Sequence, residues 1–182
     1  VMTTGWTRGR TGKIDVLSDG HANTLAEVKN QTGVSLLAAG LNAAFAYAQA
    51  QFDAYLVIPD DEDVATEGTV GDIDAKVNYT TIAKAELTPS MGGVDLSYYA
   101  TIKVNVAVAA NSSGANAYIA GAGAITAKKV TVTATGEAYA EATVYRPNVS
   151  GGMANIAANA MAALLSATQK AYIQDITIHG TS

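Results

Sequence analysis

The stretch LAAGLNAAFAYAQAQFDAY, residues 37–55, decides the fold class because it reads two ways. Leu37, Leu41, Ala44, Phe45, Ala48, Phe52 and Tyr55 fall at helical spacing. Ala46, Ala48, Ala50, Phe52 and Ala54 also alternate with Tyr47, Gln49, Gln51 and Asp53, which is the period of a strand. A related stretch, MANIAANAMAALLSATQKAY at residues 153–172, again allows a helix. A third, IKVNVAV at residues 102–108, alternates strictly and is rich in β-branched residues that helices disfavour.

These stretches are copies of one block. Each ends in Ala-Tyr-Leu/Ile, at Ala54-Tyr55-Leu56, Ala117-Tyr118-Ile119 and Ala171-Tyr172-Ile173. The residues 13 places before the tyrosines are Asn42, Asn105 and Asn159. Equivalent positions of a repeat share one structure, so the middle copy makes strands the preferred reading throughout. A mixed repeat, a β-hairpin plus a crossover helix per unit, stays open as the alternative, since alanine is the best helix former.

A second block precedes each of these, at Ile14–Val28, Ile73–Leu87 and Val130–Val144. Val130, Val132 and Ala134, then Ala138, Ala140, Ala142 and Val144, alternate with polar or aromatic residues, and Gly20 and Gly136 hold the same place in two copies while Tyr79 holds it in the third. The pattern predicts two strands joined by a tight connection at the glycine. The chain then divides into the end of a preceding unit or a leader (1–13), repeat 1 (14–56), an acidic linker loop (57–72), repeat 2 (73–119), a linker strand and turn (120–129), repeat 3 (130–173) and the start of a fourth unit (174–182). The expected fold is all-β, a repetitive β-solenoid-like array.

Composition narrows the function classes. A hydrophobic share of 49% provides for a core and argues against disorder. Only 15% of residues are charged and the formal charge is −5, so neither nucleic acid nor anionic lipid, which reward a basic face, is an expected partner. The chain has no cysteine, which removes disulfides and thiolate metal sites. No apolar run reaches the length of a membrane-spanning helix.

The stretch from Val104 to Val108, Ala117-Tyr118-Ile119 and the Val130-Thr131-Val132 strand resemble the repeats of giant bacterial filamentous adhesins, the leukotoxin-type filamentous adhesins among them. That resemblance implies a β-rich solenoid on the cell surface or secreted, adhesive and structural in role, with host or extracellular-matrix surfaces or glycans as partners.

Residues that could carry chemistry are few. Asp60, Asp61, Glu62 and Asp63 form a dense acidic run, but calcium-loop patterns are missing and the run reads as a solvated loop between Pro59 and Glu67. His21 and His179 occupy roughly corresponding strand regions of different copies without a further His or Cys at ligand spacing. Asp15 and Asp74 recur at one repeat position and read as outward-facing strand residues on different units rather than a glycosidase pair. Thr11-Gly12-Lys13 fails the phosphate-loop frame because Ile14 follows the lysine. Asn-x-Ser/Thr sequons at Asn30, Asn78, Asn111 and Asn148 are expected from composition.

No catalytic, cofactor-binding or metal-binding residue is therefore assigned, and the chain is read as non-catalytic. A self-assembling extracellular filament subunit and a polysaccharide-active β-helix enzyme are the alternatives. The partial unit at Ile176-Thr177-Ile178, and the segment with Trp6, Arg8 and Arg10, are expected to associate head to tail.

Overall fold

A computed structural model describes residues 12–30, 34–58, 70–89, 94–145, 149–151 and 153–180. Strands follow one another as β1 (Lys13–Asn30), β2 (Val34–Ala48), β3 (Gln51–Ile58), β4 (Val70–Pro89), β5 (Val94–Asn111), β6 (Gly114–Gly121), β7 (Ala124–Val144), β8 (Val149–Gly151), β9 (Ala154–Leu165), β10 (Thr168–Gln174) and β11 (Thr177–Gly180). The described residues contain no helix, so the helical alternative for residues 37–55 and 153–172 is excluded.

All pairing is parallel, in three sheets. The first sheet has the order β1-β4-β7-β11, the second β2-β5-β8 with β9 also on β5, and the third β10-β6-β3. The chain thus visits first, second and third sheet in turn three times, and β11 re-enters the first, an arrangement compatible with a β-solenoid. Register joins Asn42 to Asn105 to Asn159, and Tyr55 to Tyr118 to Tyr172.

The expected hairpins are absent from the first sheet. β1, β4 and β7 each run unbroken through Gly20, Tyr79 and Gly136, which are register partners. The glycines make room rather than a turn. A Cβ on Gly136 would collide with the Tyr79 ring, and one on Gly20 with the Phe52 ring. Phe52 and Tyr79 stack at 5.6 Å.

Side-chain volumes compensate across the layer between the first and third sheets. Phe52, Ala115 and Gln169 are register partners in the third sheet. Each circuit therefore sets one bulky residue against one small one: Gly20 with Phe52, Tyr79 with Ala115, Gly136 with Gln169. Close packing tolerates neither two rings nor two gaps at one level.

Between the first and second sheets the core is nearly all alanine, with Ala44, Ala46, Ala48, Ala83, Ala85, Ala107 and Ala109 around Leu87. Small side chains at every second position let the sheets lie close, and this packing overrides the helix preference of alanine. The opposite end is filled by Leu56, Ile58, Ile73, Ile119 and Ile125.

Corners carry their own chemistry. Gly121 turns the third sheet into the first at φ 138°, a region open to glycine, and a Cβ there would meet the Ile58 backbone. Asp175, in the equivalent place one circuit later, has φ 55°, which aspartate tolerates better than most residues. Backbone bonds from Ser112 N to Ala48 O (2.9 Å) and from Ser166 N to Asn111 O (2.8 Å) carry the ladder around the corner between second and third sheets.

Candidate functional site

Polar residues gather in three places. The first is a ladder on the inward parity of the second sheet. Asn42 Nδ2 donates to Asn105 Oδ1 at 2.9 Å, and Asn105 Nδ2 donates to Asn159 Oδ1 at 2.8 Å. Lys103 follows on the same parity, in register with Gly40 and Ala157, and burial lowers its ammonium pKa.

The second is a buried knot at the corner after β5. Asn111 is 1% exposed and its amide nitrogen donates to Thr81 O (3.1 Å), Thr81 Oγ1 (3.0 Å) and Tyr139 O (2.9 Å). Ser113 Oγ donates to Asn111 Oδ1 at 2.7 Å. Every partner is a structural group, so the knot holds the corner on its neighbours. It also closes the sequon at Asn111. Sequence reasoning met Asn111 only as that sequon; its position before Ser112-Ser113-Gly114, a turn-forming run, is the signal that marks a corner.

The third is the charged outer face of the first sheet. Lys13 Nζ lies 2.9 Å from Asp15 and 3.2 Å from Asp74, and Lys76 Nζ lies 3.0 Å from Asp74. Asp15 and Asp74 do stand on different strands, but in direct register and bridged by one lysine. Asp74 faces outward on β4, although its side chain is only 11% exposed. The Thr131 hydroxyl, then the Lys76 ammonium, and also Lys13, hold its carboxyl well below the usual carboxylate range against the opposing effect of burial. The two acids also hold the Lys13 ammonium pKa above its ordinary value, Asp15 most. A carboxyl so firmly ionised is a poor proton donor.

His21 and His179 do not correspond. His21 is in register with Thr80, itself the partner of Glu137, whereas His179 pairs with Thr126, far down the same strand. No group of three or more His, Cys, Asp or Glu residues able to hold a metal ion occurs among the described residues. The acidic run Asp60–Asp63, and Trp6, Arg8 and Arg10, lie outside the described residues, as do the sequon at Asn148 and Thr11. Asn78 is exposed in the middle of β4.

On the outside of the third sheet, Tyr55, Tyr118 and Tyr172 form a stack with centroids 5.1 Å apart and planes within 7° of parallel. Burial between its neighbours, with the adjacent phenols, raises the Tyr118 hydroxyl pKa. Asn116 Nδ2 donates to Asp53 Oδ1 beside it at 3.0 Å. Comparison of the chain with family models, with curated proteins and with solved structures finds no match.

Proposed function

We propose that the chain is a non-catalytic structural and adhesive segment of a large bacterial cell-surface or secreted protein, built as a β-solenoid of diverged repeats with units at 14–56, 73–119 and 130–173. One observation carries this reading. Like residues stand on successive rungs, asparagine on asparagine inside and tyrosine on tyrosine outside. A catalytic centre needs unlike groups converging on one cleft. A column of like groups instead fixes which rung lies on which, the requirement of a long regular support.

The adhesive part rests on the resemblance to filamentous adhesin repeats and on the low charge, with a host or matrix surface or glycan as partner. Beads coated with the chain should bind matrix-coated or epithelial surfaces above albumin-coated beads. Equal binding would remove the adhesive role. The solenoid part has a separate test: duplicating residues 121–174 should give a folded chain of higher melting temperature, because each added unit contributes an interface. A duplicated chain that aggregates or melts lower would refute the array.

A filament subunit is the second reading, and a specific observation favours it. β11 adds a fourth rung to the first sheet over Ala124–Ala127, while no described strand covers β9 or β10 on the far side. Inward residues of that last circuit, such as Met161 at 60%, are exposed. Head-to-tail association through this edge would appear in light scattering as growth of the full chain, reduced in a version ending at Ile173. The polysaccharide-active alternative has less support, because the Asp15/Asp74 pair is bridged by Lys13.

A further inference from the structure

Tyr55, Tyr118 and Tyr172 are register partners on β3, β6 and β10. Among the described residues no other two tyrosines are register partners: Tyr47 pairs with Ala110, Tyr79 with Gly20 and Gly136, and Tyr139 with Ile82. The three rings lie on the outside of the third sheet, where Tyr172 is exposed and the other two are half-buried. Each ring centroid is 5.1 Å from the next, so every phenol of the column has a second phenol in contact with it.

Phenols held ring to ring are placed for the reaction that joins two tyrosines. One-electron oxidation of a phenol removes an electron and the hydroxyl proton, leaving a phenoxyl radical with part of its unpaired spin on the ring carbons ortho to oxygen. Two such radicals form a carbon–carbon bond between ortho carbons. Each bonded carbon then releases its hydrogen as a proton, and each oxygen takes a proton back. The sum per link is two electrons and two protons lost, which one hydrogen peroxide accepts to become two waters through the haem of a peroxidase. A radical on an isolated surface tyrosine must await a second molecule. A radical in the column already has its partner beside it, at a far higher effective concentration.

We propose that the column of Tyr55, Tyr118 and Tyr172 is an oxidative cross-linking site, at which peroxide and a haem-peroxidase type of one-electron oxidant join successive circuits by dityrosine bonds. The parallel rings must tilt until two ortho carbons touch, and side chains on an outer face have room to do so. Tyr118 has two ortho carbons, one for each neighbour, so both links can form in one chain. Each link closes a loop of more than fifty residues and removes that freedom from the unfolded chain, as a disulfide would. The chain has no cysteine with which to make such a staple. The inference rests on the register of the third sheet and needs neither the adhesive nor the filament reading.

The test treats the full chain, kept dilute, with a haem peroxidase and limiting hydrogen peroxide, and maps the monomer recovered from a denaturing gel by mass spectrometry. The monomer should show dityrosine fluorescence, a mass lower by two hydrogen atoms per link, and joined peptides carrying Tyr55 with Tyr118 or Tyr118 with Tyr172. Each link should raise the melting temperature by about 5–15 °C. Tyr118→Phe keeps a ring in the stack but leaves the outer phenols two rungs, about 9.6 Å, apart, and should remove most of the fluorescence of the monomer. Tyr139→Phe, outside the column, should leave it unchanged. Circular dichroism checks that each variant keeps its strands; should Tyr118→Phe unfold, Tyr55→Phe decides instead and should retain only the link between Tyr118 and Tyr172. Links formed only between molecules would overturn the proposal, as would links within the monomer that map to tyrosines outside the column. A column left intact while other tyrosines are oxidised, or fluorescence indifferent to Tyr118→Phe, would overturn it equally, and a link that leaves the melting temperature unchanged would refute the staple.

Discussion

Gly136 lies beneath the ring of Tyr79, and that contact shows how a single position is specified by the neighbouring circuit rather than by its own strand. Gly136→Ala should destabilise the chain by about 1–3 kcal/mol in urea denaturation, the usual cost of overpacking. In a Tyr79→Ala background the same change should cost much less. Equal costs in both backgrounds would mean that the glycine acts through its backbone. Asp74 offers a pH-dependent counterpart. Its folded carboxyl is held below the unfolded value of about 3.9, so its stabilising contribution is complete above that pH and is lost as pH falls from there towards the folded value. Denaturation midpoints of the parent should therefore fall more steeply below about pH 4 than those of Asp74→Asn, and superimposable acid limbs would remove Asp74 as the source. The three ion pairs around Lys13 and Lys76 sit at a partly solvated surface, where such pairs contribute about 0–1 kcal/mol each, so their role is to complement register more than to stabilise.

At the scale of the strand, the asparagine ladder ties β2, β5 and β9 into one register, because a slip by one residue would put each amide against valine, alanine or leucine. Asn105 is both donor and acceptor, so Asn105→Ala should cost about 1–3 kcal/mol, more than Asn42→Ala at the end of the ladder. Equal costs in thermal or urea melts would mean that the ladder does not act as a connected unit. This register was legible in the sequence, since three asparagines stand at one fixed distance before three tyrosines while most of the residues between them differ. The strand assignment of residues 37–55 was legible only through the stretch IKVNVAV at residues 102–108, because alanine-rich segments carry helical and strand periods at once and close approach of a second sheet decides between them. The hairpins were misread although the signal was present: inward parity runs unbroken from Val130 through Gly136 to Val144, whereas a tight turn would reset it. What a local pattern could not supply was the identity of the ring filling the glycine's space, which arrives from a register partner 57 residues away. The buried Lys103 escaped for a similar reason, since its apolar neighbours Ile102 and Val104 do not mark it as inward-facing, whereas the run after Asn111 marks a corner without showing which groups its amide would meet.

Across the whole molecule the three circuits share the same logic, a long first strand facing two shorter ones, with bulk traded between facing positions. Parallel pairing links residues more than fifty positions apart at almost every rung. A chain so dominated by distant contacts should fold slowly, since each circuit must close before its rung gains anything. The same topology permits a direct test, because the chain has no cysteine and pairs can be introduced one at a time. Asp53, Asn116 and Lys170 stand on successive rungs on the outside of the third sheet. Oxidation of an Asp53→Cys/Asn116→Cys chain, and of an Asn116→Cys/Lys170→Cys chain, should give an intramolecular disulfide in high yield, since neighbouring strands about 4.8 Å apart lie within disulfide reach. The Asp53→Cys/Lys170→Cys chain, with its cysteines two rungs and about 9.6 Å apart, should remain a reduced monomer or cross-link only between molecules. An intramolecular bond forming as readily between 53 and 170 as between adjacent rungs, or failing to form at 53/116 and 116/170, would contradict in-register parallel stacking of the three circuits.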